Sequence, residues 1–165
     1  MSLTNDMNLF LIRHSIAENP STLKSDSLRE LTADGKSLVI KMVNFYKLIA
    51  PNIDLILTSP FLRAIQTAGL ISSFYENKIN IIKENNLAAC CNTGTLIEIL
   101  NIYDYENIAI IGHQPDLSNH ISNFTSSANV NLVFRPASIA KIRFEYKIGF
   151  NKGVLEYLIS SEIVY

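Results

Sequence analysis

The chain has 165 residues, with 14 Lys and Arg against 15 Asp and Glu, for a formal net charge of −1. This length suits a single domain spanning 1–165, and 48% hydrophobic residues supply a packed core. The balanced charge argues against binding nucleic acid by bulk charge. No apolar run reaches the roughly 18 residues of a membrane span, and acidic Asp6 stands where a signal peptide would carry its basic region, so a cytoplasmic protein is expected. Cys90 and Cys91 are the only cysteines. A disulfide between neighbours would be strained, so free thiols in a reducing compartment are expected. Met1, Ser2 and Leu3 read as residues added for expression, and 1–7 as a disordered start with Met7 an alternative initiator.

In chain order, Asn8 to Arg13 is nearly continuous in apolar residues, as in a strand buried on both faces. A polar stretch follows to Leu31. Thr32 then caps a predicted helix to Ala50, with Leu38, Met42, Phe45 and Ile49 at helical spacing and Pro51 closing it. Asp54 to Thr58 reads as a second buried strand. Ser59-Pro60 is a helix start, with Ser as cap and Pro in the first turn, predicting a helix to Phe74. Ile79 to Ile82 is a third strand. A loop through Cys90 and Cys91 leads to a short helix at Thr95 to Asn101. Asn107 to Ile111 is a fourth strand, and Asp116 to Phe124 a helix. Ser138 to Tyr146 and Val154 to Ser160 form a predicted hairpin around Gly149, Asn151 and Gly153. Alternating strands and helices predict a three-layer α/β fold, with a mostly parallel central sheet and helices on both faces.

The chemistry-bearing residues fall at strand ends, where open α/β sheets bind ligands. In Leu9-Phe10-Leu11-Ile12-Arg13-His14-Ser15, an imidazole at a strand end can attack phosphorus if one nitrogen is free and the other is held as N–H. Arg13 offers planar donors that match phosphate oxygens. In Leu57-Thr58-Ser59-Pro60-Phe61-Leu62-Arg63-Ala64-Ile65-Gln66-Thr67-Ala68, a strand runs into a helix N-terminus rich in free N–H groups, with Arg63 about one turn in. In Ile110-Ile111-Gly112-His113-Gln114-Pro115-Asp116-Leu117-Ser118, a protonated His113 would add a donor at the same edge. Each motif alone also fits an ordinary structural histidine or a capped helix.

In this order the three motifs resemble those of the histidine phosphatase superfamily. Its signature is an Arg-His-Gly stretch, a Ser-Pro-x-x-Arg-Ala-x-Gln-Thr stretch and a Gly-His-x-Pro stretch after the first, second and fourth strands. Ser15 replaces the glycine of the first. The resemblance covers nearly the whole chain and implies a phosphoglycerate-mutase-like fold. It also implies a phosphate pocket of Arg13, His14, Ser59, Arg63 and His113, with His14 as the nucleophile that forms a phosphohistidine intermediate. The short chain, the segment Leu28-Arg29-Glu30-Leu31-Thr32-Ala33-Asp34-Gly35 and the segment Arg135-Pro136-Ala137-Ser138-Ile139-Ala140 resemble the SixA-type branch. That branch implies a phosphohistidine phosphatase of signalling, with a histidine-phosphotransfer type of phosphorylated protein as partner and no cofactor.

Many superfamily members carry a glutamate after the third strand to protonate a leaving alcohol. Here Asn86 falls near that place, two residues past Glu84. Glu84 and Glu18 are the candidate general acids. An alkoxide needs such help far more than an imidazole, whose conjugate acid has a pKa of ~6.5, so a site without a good acid favours phosphohistidine. The alternatives are a small-molecule phosphomonoesterase acting on a sugar or nucleoside phosphate, and a non-catalytic module that holds a phosphorylated partner. A metal site of His14, His113 and His120 is disfavoured by spacing, because His113 and His120 lie about two helical turns apart. The cysteine pair has no following Arg of a thiol-phosphatase loop.

Overall fold

The computed structural model describes residues 6–164. The expectations placed on residues 1–5 lie outside that range. Asp6 and Met7 already belong to the first strand, where they pair with Glu145 and Phe144. That strand, β1, runs Asp6–Arg13, two residues earlier than its apolar run. It is followed by a 3₁₀ turn at Asp26–Leu28, α1 (Ala33–Ile49), β2 (Leu55–Thr58), α2 (Leu62–Ser73) and β3 (Asn80–Lys83). A 3₁₀ turn at Asn85–Leu87 leads to α3 (Thr93–Leu100), β4 (Asn107–Gly112), α4 (Asp116–Thr125), β5 (Ile139–Glu145), β6 (Gly153–Ile159) and a last 3₁₀ turn at Ser161–Val164.

One sheet of six strands runs in the order β3-β2-β4-β1-β5-β6. The β3-β2, β2-β4 and β4-β1 pairs are parallel, while β5 and β6 complete the other edge as an antiparallel hairpin. Alternate side chains of the central strands feed opposite cores. Leu9, Leu11, Leu55 and Leu57 pack with α3 and α4 through Leu96, Leu100, Ile121 and Phe124. Phe10, Ile12 and Ile56 pack with α1 and α2 through Val39, Met42, Ala68 and Ile71. The sheet is thus the middle of three layers, which is why its central strands read as unbroken apolar runs.

Helix starts depart from the sequence reading in two places. Thr32 caps α1 as expected, accepting from the Gly35 N–H at 3.0 Å. Ser59, however, is not the cap of α2. That helix begins at Leu62 with Phe61 as its N-cap, and the Ser59 hydroxyl instead accepts from the Phe61 N–H and meets His113. The third helix starts at Thr93, earlier than predicted, since Asn92 supplies the cap by accepting from the Gly94 N–H.

Candidate active site

The carboxyl ends of β1, β2 and β4 meet at one edge of the sheet. His14 directly follows β1, and its N–H donates to the Gly112 carbonyl at the end of β4. The Ser59 N–H donates to the Ile111 carbonyl, tying β2 to the same strand. Arg13, His14, Arg63 and His113 consequently line a single cleft of about 360 Å³, whose other walls include Ile16, Ala17, Arg29, Ala89 and Gln114.

The imidazole of His14 is held in one tautomer. Its Nδ1 lies 2.7 Å from the Ser15 carbonyl oxygen, which can only accept, so Nδ1 carries the proton. Nε2 is then the unprotonated nitrogen, and it accepts from the Arg63 Nε–H at 3.3 Å. Burial, outweighing the Ser15 carbonyl that favours the charged ring and helped by the neighbouring His113, Arg63 and Arg13, holds the imidazole pKa down at about 3. A neutral ring with an unprotonated Nε2, which Arg63 must release as phosphorus approaches, is the state a nucleophile needs. Ser15, at the position the family motif fills with glycine, is fully buried. Its hydroxyl donates to the Gly35 carbonyl at 2.8 Å, and its N–H to Thr67 Oγ1 at 3.2 Å. The extra hydroxyl therefore has a partner and helps fix the carbonyl that orients His14.

His113 packs against His14 with ring centroids 4.9 Å apart and against Phe61 at 5.0 Å. Its Nε2 lies 2.7 Å from Ser59 Oγ. That oxygen accepts from the Phe61 N–H at 3.2 Å, and the arrangement that also gives the hydroxyl proton an acceptor has it donate to the ring. In that arrangement Ser59 O–H donates to Nε2, and Nδ1 carries the ring proton. This Nδ1 is buried without a partner, as is Arg13 Nε, and both belong to residues lining the cleft. Buried polar groups without a protein partner are rare and are usually completed by a water, an ion or a ligand. Burial, with Arg63 beside it, brings the His113 pKa to about 4. The resting group is thus a neutral Nδ1–H donor, in place of the protonated histidine expected from the sequence.

Arg13 donates from Nη1 to the Phe134 carbonyl at 2.8 Å, and Arg63 is 4% exposed with its guanidinium over the Phe61 ring. The sequence reading missed Asp26 and Arg29. Asp26 pairs with Arg63 at 3.0 Å and with Arg29 at 2.7 Å. Both come from the polar stretch after β1, which Gln66 braces onto α2 by accepting from the Leu31 N–H and donating to Glu30. The Asp-x-x-Arg spacing was visible, but nothing local says that it folds back onto Arg63.

The two candidate acids lie outside the lining of the cleft. Glu84 caps the 3₁₀ turn at Asn85–Leu87, taking both the backbone N–H and the side-chain amide of Asn86. The segment contributes Ala89 to the cleft instead. Glu18 accepts from Lys24 at 2.6 Å and from the Glu30 N–H, which hold its carboxyl below the usual range. His120 is buried on α4 against Thr93 and is not among the residues lining the cleft. Among the described residues no group of three His, Cys, Asp or Glu side chains is arranged to hold a metal ion. Cys90 and Cys91 are free, and burial pushes the Cys91 thiol up to about 11.

The fold is a phosphoglycerate-mutase-like α/β fold, with Arg13, His14, Arg63 and His113 gathered at one strand-end edge. No family model matches the chain. It is 26% identical over 151 residues to a phosphohistidine phosphatase SixA homolog of Haemophilus influenzae, across 84% of this chain and 89% of that protein. The structure of the protein histidine phosphatase SixA complexed with tungstate superposes with a TM-score of 0.85 at 23% identity, covering 96% of this chain and all of that one. A SixA-type protein of Agrobacterium tumefaciens superposes at 0.78 and 18% identity, over 93% of this chain and 97% of its own. By sequence the chain is similar to a SixA homolog, and by fold to SixA structures.

Proposed function

We propose that the protein is a phosphatase that passes a phosphoryl group through His14, and that its substrate is phosphohistidine on a signalling or phosphotransfer protein of the cytoplasm. The observation that carries this reading is the tautomer of His14, with Nδ1–H on the Ser15 carbonyl and an unprotonated Nε2 beside Arg63. Nε2 attacks phosphorus as the bond from phosphorus to the substrate's imidazole breaks. That imidazole leaves, taking a proton. Water then cleaves the phosphohistidine at His14, releasing inorganic phosphate. Arg13, Arg63 and the His113 Nδ1–H spread the charge of the transferring group. That a SixA structure of the same fold is complexed with tungstate, an oxyanion of phosphate-like shape, supports reading the cleft as an anion pocket.

The substrate class follows from the leaving group. Glu84 is committed to Asn86 and Glu18 to Lys24, so neither is set to protonate an alkoxide. Among the described residues no helix is long and apolar enough to cross a membrane, in keeping with a protein that meets its substrate in solution. The test is a rate comparison between a phosphohistidine protein, a phosphoserine peptide and an aryl phosphate. The phosphohistidine protein should lead the peptide in kcat/KM by ~10²-fold, the lower end of what a general acid contributes. Label from the substrate should be trapped on the wild type and lost in His14→Ala. Equal rates, with Glu84→Gln slowing only the phosphoserine reaction, would identify a general phosphomonoesterase instead.

A further inference from the structure

Asp26 is a half-exposed carboxylate set among cations that line the cleft. Its side chain is 54% accessible, while that of its partner Arg63 is 5%. One oxygen, Oδ2, accepts from Arg63 Nη2 at 3.0 Å, and the Asp26 backbone carbonyl accepts from Arg63 Nη1 at 2.7 Å. The other oxygen, Oδ1, takes Arg29 Nε and Nη2, each at 2.7 Å. Arg29 is anchored in turn by donating from Nη1 to the Glu18 carbonyl at 2.6 Å.

Of the five N–H groups on a guanidinium, Arg63 commits three, two to Asp26 and one to His14. Two remain for a phosphoryl group. The fork of Arg63 is therefore oriented by Asp26 before any ligand arrives, and this orientation delivers Nε–H to the His14 lone pair. The same carboxylate is a fixed negative charge shared by two arginines that face the phosphate site.

We propose that Asp26 is a positioning residue that sets Arg63 against His14, and that its charge weakens the hold of the pocket on free phosphate so that product departs. This rests on the phosphatase reading given above. Positioning raises turnover, and charge lowers affinity for an anion. The two effects separate by readout in Asp26→Asn, which loses the charge and one of the two acceptor oxygens: kcat reports the positioning, and phosphate affinity the charge.

The experiment measures inorganic phosphate binding to resting protein by calorimetry, alongside kcat and the unfolding midpoint. Asp26→Asn should bind phosphate about fivefold more tightly, the effect of one unit charge at about 4 Å under water-like screening. Its kcat should fall, with Asp26→Ala lower still and Asp26→Glu recovering part of the loss. A purely structural role predicts the opposite sign for binding, since a misplaced Arg63 holds phosphate less well. Phosphate affinity that is unchanged or weaker in Asp26→Asn, at a wild-type midpoint, overturns the proposal. Failure of the phosphatase reading shows separately, as wild-type phosphate binding that is indifferent to Arg13→Ala, and that result removes this inference as well.

Discussion

Removing the Ser59 hydroxyl perturbs stability and catalysis through one atom. Ser59 Oγ accepts from the Phe61 N–H ahead of α2 and donates to His113 Nε2. Its side chain is fully buried, and so is most of His113. In Ser59→Ala both partners lose their bond. An unsatisfied buried polar group costs about 1–3 kcal/mol, and Phe61, being only part-buried, recovers some of its share from water. The sum is about 2–4 kcal/mol. At roughly 2–4 °C per kcal/mol for a chain of this size, the midpoint should fall by roughly 4–16 °C. Catalysis should fall because the bond to Ser59 selects the tautomer with Nδ1–H. Without it His113 loses its bias toward the donor form, and kcat should drop about tenfold, less than the ~10²–10³-fold of removing a donor outright. The assay is aryl phosphate turnover beside a thermal melt, for Ser59→Ala, His113→Ala and the double variant. If Ser59 acts through His113, the double variant should turn over no more slowly than His113→Ala alone. Additive losses in kcat, or a Ser59→Ala protein with wild-type kcat, would refute the assignment of the tautomer.

Gly35 sits in the first turn of α1, where an added Cβ would lie 2.0 Å from the Ile16 carbonyl oxygen. Gly35→Ala should therefore push the segment after His14 away from α1, lowering both the melting midpoint and kcat, and an unchanged kcat would show that the Ser15 carbonyl does not depend on this packing. Stability should also fall on acidification. Burial holds His120 at about 4 against 6.5 unfolded, so between those values the unfolded chain binds the extra proton. The contribution is complete above pH 6.5 and lost as pH falls toward 4. His120→Asn should flatten the slope of unfolding free energy by up to ~1.4 kcal/mol per pH unit in that window, as read from urea melts at pH 7, 6 and 5, and parallel slopes would count against a buried neutral imidazole.

The elements were legible in the sequence where local signals coincide with burial. The apolar runs of β1, β2 and β4 mark strands covered on both faces, and the Thr32 cap and the spacing behind it mark α1. Arg13, His14, Arg63 and His113 stood out because each follows a strand within a short motif, and parallel strands deliver their ends to one edge. What needed the tertiary structure were properties of contacts far apart in the chain. Ser59 reads as a helix cap until His113, 54 residues later, takes its hydroxyl. Asp26 reads as part of a polar loop until Arg63, 37 residues on, is folded against it. Glu84 reads as an acid until the chain turns it onto Asn86. Strand and helix patterns are periodic and local, so residue order alone carries them. A tautomer, the orientation of a guanidinium or the protonation of a buried imidazole depends on which groups packing brings within hydrogen-bonding distance and how far it removes water, and only the folded chain determines that.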